Sequence, residues 1–211
     1  MNGGDSMPYK LDVTYNEIMN LYTARHRDSD REGIKRAYQY ACEKHEGVKR
    51  GSGEPYIFHP MRVARILAEQ GFESDYLMSA LLHDVVEDTE VTLNDIRSRF
   101  GYRVARLVDT ESDHFEDGLD WRRRKEDSLR RLKEATRDEK IVALGDKLSN
   151  MRAIARDYTS EGEVFWDRFR VKEKSVHGWR YHALLDALSE LADTYAYQEF
   201  DFLVNRIFPA D

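Results

Sequence analysis

DEKIVALGDKLSNMRAIARDY, residues 138–158, decides the fold class of this chain. Leu144, Leu148, Met151, Ala155 and Tyr158 recur at spacings of four and three, the period of a helix with one buried stripe. Asp146 lies off that stripe. The same period recurs on both sides of this segment. Helices are predicted over residues 15–26 and over 30–46, where Asp30 is the N-cap and Ile34, Ala37, Tyr38 and Ala41 share a face. Gly47 ends the second of these. Another starts at about Pro60, with Val63, Ile66 and Leu67 inward, and Gly71 closes it. Ser74 or Asp75 caps the next, which runs through Leu77, Ala80 and Leu81 to about Val86. Shorter helices follow Thr92 and Tyr102, and longer ones cover residues 121–135, 176–194 and 197–207. Residues 49–56, with Gly51, Gly53 and Pro55, read as a loop, and the acidic stretch 111–119 as a surface loop. No segment alternates with period two. The expected fold is therefore all-α, with about eight to ten helices. Its expected organisation is an N-terminal segment over 1–28, a main domain over 29–195, and a C-terminal helix over 196–211 packed on that domain.

Composition narrows the function. The chain has 211 residues, 41% hydrophobic and 35% charged, with four prolines and twelve glycines. That is enough for one helical domain with a sizeable core. The formal net charge is −7. Such an acidic chain is poorly suited to tracking a nucleic-acid backbone, which is bound by neutralising phosphates. A local basic pocket for a small polyanion is not excluded by net charge. The single cysteine, Cys42, permits no internal disulfide and no cysteine-based zinc site, and is expected to pack as a small apolar residue. Residues 1–10 are polar and carry no apolar signal, and no apolar run reaches the roughly 20 residues of a membrane span. These features together suggest a cytoplasmic protein with no membrane partner.

The chemistry concentrates in LLHDVVEDT, residues 81–89. His83 and Asp84 end an apolar helix, and Glu87 and Asp88 follow one turn later. A His-Asp pair alone arises often by chance. Two further residues make it more specific: His59, expected just before the helix at Pro60, and Asp146 on the long helix. Two imidazoles and two carboxylates suit manganese, iron or zinc and leave room for water and substrate. Such an ion acidifies bound water, and the spare carboxylates are natural proton acceptors.

Three stretches, RGSGEPYIFHP (50–60), ALLHDVVEDT (80–89) and DKLSNMR (146–152), resemble the signatures of the RelA/SpoT-type (p)ppGpp hydrolase HD-domain family. The likeness covers about residues 34–155 and is looser beyond. It implies a helical HD-domain bundle with one bound Mn2+, Fe or Zn being alternatives. It also implies a stand-alone small alarmone hydrolase that removes the 3′-pyrophosphate of ppGpp or pppGpp, leaving GDP or GTP. By position, the resemblance gives His59, His83, Asp84 and Asp146 as metal ligands, and Glu87 and Asp88 as the pair that activates or orients water. It gives Arg50 as the arginine packing on guanine, and Asn150 as the amide on the nucleotide side. Lys147 is a further candidate for substrate phosphate, although it points away from Asp146 by about 100° on a helix. Four positions depart from the family pattern. Gly51 replaces a second basic residue, Gly145 an alanine, Ser149 an aromatic or His, and Ala153 a threonine. They bear on substrate preference and leave the ligands intact.

Two other functions are compatible with these motifs. One is an HD phosphohydrolase acting on another nucleotide such as NADPH. The other is a catalytically weak nucleotide-sensing module, against which the presence of both Glu87 and Asp88 counts. The basic run 121–125 is expected to be mostly a solvated helix face, the alternative being contact with the substrate's phosphates from the pocket rim. His177 and His182 are expected to be structural, and Trp166, Phe169, Trp179 and Tyr181 to pack the C-terminal helices.

Overall fold

A computed structural model describes residues 13–26, 30–111 and 121–209. The polar start and most of the expected loop at 111–119 lie outside them. Eleven α-helical segments carry the described chain: α1 Tyr15–Thr23, α2 Arg31–Lys44, α3 Phe58–Gln70, α4 Ser74–Leu82, α5 Val85–Asp88 and α6 Leu93–Phe100. These are followed by α7 Tyr102–Glu111, α8 Trp121–Glu134, α9 Arg137–Glu161, α10 Lys174–Ala187 and α11 Tyr195–Ile207. Two 3₁₀ turns, Gly162–Arg168 and Ser189–Leu191, join the last three. No strand occurs among the described residues, and the fold is all-α. None of the described helices is long and apolar enough to cross a membrane.

Local chemistry explains most of the helix starts. Asp30 accepts from the Gly33 amide at 2.7 Å and caps α2. Thr14, Thr92 and Thr136 each close a reciprocal capping box, with Glu17, Asp95 and Glu139. Gly71 closes α3 at φ +80°, a left-handed conformation that favours glycine. Three expectations are corrected. Neither Ser74 nor Asp75 caps α4; Glu73 holds that position without a side-chain bond. The predicted helix to Val86 is interrupted at His83 and Asp84, where Asp84 sits at φ −87°, ψ −8°, and α5 is a single turn beyond. Helix α10 stops at Ala187, short of the predicted Thr194.

The core gathers around α9 and α4. Ile141, Val142, Ala143, Leu144, Leu148 and Met151 of α9 are buried, and α4 is buried from Tyr76 to Leu82. A helix apolar all round belongs in an interior, and α4 lies among α2, α3, α7 and α9. Helix α11 packs on α9 and α10. His177 stacks on buried Trp166, with ring centres 5.0 Å apart, and its Nε2 meets the Val171 carbonyl at 2.8 Å. His182 meets the Phe208 carbonyl in the same way. Cys42 is half-buried, and burial pushes its thiol pKa up.

Gly145 has a packing reason. A Cβ built there would lie 3.1 Å from Val63 Cγ1 and 3.2 Å from Leu67 Cδ2. Both residues are fully buried on α3, so the glycine lets α9 approach the helix that carries His59. This close approach offsets the helix-propensity cost of about 1 kcal/mol. Gly145→Val is expected to destabilise the fold by about 2 kcal/mol through overpacking. Urea denaturation measures this, and an unchanged midpoint would mean that α3 yields.

Candidate metal and substrate site

The site forms where α3, the α4–α5 junction and α9 meet. His59 is corrected in position: α3 begins at Phe58, so the ring sits inside the first turn and is buried. Pro60 still occupies the first turn, where no amide donor is needed. His59 Nε2 lies 2.9 Å from Asp146 Oδ1 and 3.6 Å from Asp84 Oδ2. His83 Nε2 lies 3.1 Å from Asp84 Oδ1 and 3.8 Å from Asp146 Oδ1. One donor atom each from His59, His83 and Asp146 falls within a span of 4.8 Å. Asp84 is not part of that three-residue set; its Oδ1 lies against His83 Nε2 and its Oδ2 against His59 Nε2, so it borders the set from the imidazole side.

The imidazoles are set for ligation. His83 Nδ1 donates to the Ala80 carbonyl at 2.8 Å, which turns Nε2 into the cluster. Nε2 is buried and makes no well-aligned hydrogen bond, although the Asp84 and Asp146 carboxylates lie 3.1 and 3.8 Å from it. His59 turns Nδ1 to Ser149 Oγ at 3.4 Å. Two ligands at right angles around one divalent ion, each about 2.1 Å from it, stand about 3 Å apart. The His–Asp separations straddle that value, so the donor set fits a divalent cation.

The charges of the cluster support the same conclusion. Burial alone would raise the Asp146 pKa, but Lys147 and the two imidazoles hold it well below the usual carboxylate range. Burial works to lower the His83 pKa, yet Asp84 and Asp146 outweigh it and hold the ring up at about 10. Burial wins at His59, whose pKa is lowered. With no ion bound, the two acids recruit a proton as the local cation.

Asp146 is also the hub of the nucleotide-side candidates. Asn150 Nδ2 donates to its Oδ1 at 2.7 Å, and Arg50 Nη2 donates to Asn150 Oδ1 at 3.0 Å. Lys147 Nζ meets Asp146 Oδ2 at 2.6 Å, so the flexible lysine turns back toward the acid despite the helical offset. Arg50 is held by a tight loop in which its amide bonds the Glu54 carbonyl and Gly53 takes φ +85°. Its guanidinium lies 6.0 Å from the centre of the Tyr56 ring.

Glu87 and Asp88 are separated by the fold. Glu87 lines a cavity of about 160 Å³ together with His83, Asp84 and Asp146. Asp88 does not line it and lies by the Tyr56 hydroxyl. That hydroxyl donates to Asp84 Oδ2 at 2.9 Å. Burial first, then Asp84 and Asp88, push the Tyr56 pKa up and keep it a donor.

Several residues here had no role from sequence. Tyr56 stood inside a quoted motif without one. His45, buried with both ring nitrogens unpartnered, stacks on Tyr56 at 4.8 Å and gave no signal. Of the basic run, Lys125 lines the cavity, whereas Arg122 pairs with Glu126 and covers the Trp179 ring. Ser128 and Arg180 also face the cavity.

Known proteins resemble this chain in sequence and in fold. A sequence family described as HD domain matches residues 37–168. The chain is similar to a guanosine-3′,5′-bis(diphosphate) 3′-pyrophosphohydrolase of Aquifex aeolicus, 39% identical over 132 residues, covering 61% of this chain and 19% of that protein. A Vibrio cholerae protein of the same name is 43% identical over 129 residues, covering 58% and 18%. The chain thus spans less than a fifth of the length of these curated relatives. A solved structure described as a metazoan ortholog of SpoT that hydrolyzes ppGpp superposes with a TM-score of 0.66 at 26% identity. That match covers 83% of this chain and 93% of the other.

Proposed function

Because the chain belongs to the HD-domain family, we propose that it is a divalent-metal-dependent hydrolase that removes pyrophosphate from the 3′ position of ppGpp or pppGpp. One observation carries this reading: a buried pair of imidazoles and two acids shares a corner with the Arg50–Asn150–Asp146 chain on one side and a polar cavity on the other. His59, His83, Asp84 and Asp146 would hold the ion, proposed as Mn2+. When bound, the ion supplies Lewis acidity and acidified water at neutral pH. The chain supplies the rest. Arg50 offers a guanidinium plane on which a purine stacks. Asn150 fixes the ligand Asp146 and Arg50 together. Glu87, at the cavity, accepts the proton of the attacking water. The bond from the ribose 3′ oxygen to phosphorus breaks, one from water oxygen forms, and the 3′ oxygen takes up a proton to leave as the hydroxyl of GDP or GTP.

The test is turnover of ppGpp, pppGpp and NADPH by chelator-stripped protein with and without manganese, with products identified. GDP or GTP plus pyrophosphate, dependent on the ion, is expected. Turnover indifferent to chelators, or equal in a His83→Ala, Asp84→Ala variant, would overturn the reading.

Gly51 gives a graded check on the nucleotide side. A Cβ there meets nothing within 4 Å, so a side chain is tolerated. Gly51→Lys is expected to lower the KM for ppGpp several-fold, with little change in kcat or melting temperature. A raised KM would place the phosphates away from this loop.

A further inference from the structure

The cavity beside the metal cluster has two unlike walls. Asp84, Glu87 and Asp146 form one, with Lys147 folded against Asp146. The other comes from helices with no part in the quoted motifs: Lys125 and Ser128 of α8 and Arg180 of α10. Arg180 is half-buried and forms no ion pair among the described residues, although acids lie across the same cavity. A guanidinium that lines a cavity and makes no ion pair among the described residues is placed to receive an anion. Its planar fork matches phosphate oxygens in pairs, and a lysine and a hydroxyl beside it add point donors. The volume is also informative. About 160 Å³ is below the roughly 300 Å³ at which whole-ligand pockets start. The cavity is thus sized for one end of a ligand whose remainder lies outside it. Over the lining side chains as a whole, a divalent ion added to Asp84, Glu87, Asp146, Lys125, Lys147 and Arg180 brings the formal charge above zero, which a diphosphate offsets and an uncharged group does not.

We infer that Lys125, Ser128 and Arg180 form a subsite for the distal phosphate of a diphosphoryl group, and that this wall makes the enzyme select a diphosphate ester over a monophosphate ester. The assignment rests on the hydrolase reading for its substrate, but it is testable without turnover. Manganese-loaded protein is titrated in a calorimeter with the manganese complex of inorganic pyrophosphate and, separately, with orthophosphate. The variants are Arg180→Ala, Arg180→Lys and Lys125→Ala. Wild type should bind pyrophosphate at least tenfold more tightly than orthophosphate. Arg180→Ala and Lys125→Ala should each weaken pyrophosphate about tenfold to a hundredfold and orthophosphate less than threefold, with Arg180→Lys in between. Manganese affinity should be unchanged in all. Equal losses for the two anions, no loss, or no pyrophosphate preference in wild type would overturn the subsite. If Arg180→Ala fails to fold, Lys125→Ala, on a different helix, decides the question alone. Wild type that prefers pyrophosphate but leaves ppGpp intact would refute the proposed activity while keeping the subsite.

Discussion

Asp146→Ala is expected to abolish divalent-ion binding and to lower turnover at least a thousandfold. The carboxylate touches His59, Asn150 and Lys147 at 2.9, 2.7 and 2.6 Å, and it is buried. Its removal takes away a proposed ligand and also the acid that orients its neighbours. Asp146→Asn keeps the shape and removes the charge, which separates loss of ligation from loss of packing. The binding readout is thermal. An ion at a thousand times its Kd stabilises the folded state by about 4 kcal/mol. For a chain of this size that is a rise of roughly 8–16 °C in Tm. Wild type should show that rise with manganese and both variants should not. The pH dependence follows from His83. In the ion-free protein its pKa stands at about 10, above the ordinary 6.5. The protonated ring therefore adds stability that is fully present below pH 6.5 and is lost as the pH rises through 10. The ion must displace that proton, so manganese affinity is expected to rise with pH across this window, by up to tenfold per unit. Equal ion-induced shifts in wild type and Asp146→Asn would remove Asp146 from the ligand set.

What could be read from sequence, and what could not, divides by range. The stripe on α9 and the Thr92 cap are local patterns, because helix period and capping are settled within one or two turns. The proposed ligands were legible only as an ordered set of motifs, since nothing local shows that residues 59, 83 and 146 meet. The break at His83–Asp84 was hidden by an apolar period that continues into Val85. It coincides with two contacts that periodicity does not report: the Ala80 carbonyl on His83 and the Tyr56 hydroxyl on Asp84. Arg180 was illegible for the same reason. It lies 34 positions from Asp146, on α10, and only the packing of α8, α9 and α10 makes them face one cavity. Ser149 had read as a departure from a family pattern; the fold gives it the role of meeting the far nitrogen of His59.

Glu87→Gln is expected to lower kcat by about a hundredfold to ten-thousandfold with little change in KM, the range for losing a general base. The substitution keeps the volume and removes the ability to accept a proton. Its neighbour should behave differently. Helix α5 is one turn long, so adjacent side chains on it diverge by about 100°. Glu87 faces the cavity that holds the acids, whereas Asp88 faces Tyr56, which in turn grips Asp84. Asp88 thus acts through a proposed ligand, and Asp88→Asn should cost about tenfold in kcat together with weaker manganese binding. Steady-state kinetics with a manganese titration separates the two. A Glu87→Gln enzyme that keeps its kcat would move the proton acceptor elsewhere. Losses of equal size, with ion affinity untouched in both variants, would mean that both carboxylates reach the reacting water once substrate is bound, and that the division seen around Tyr56 belongs to the substrate-free protein alone.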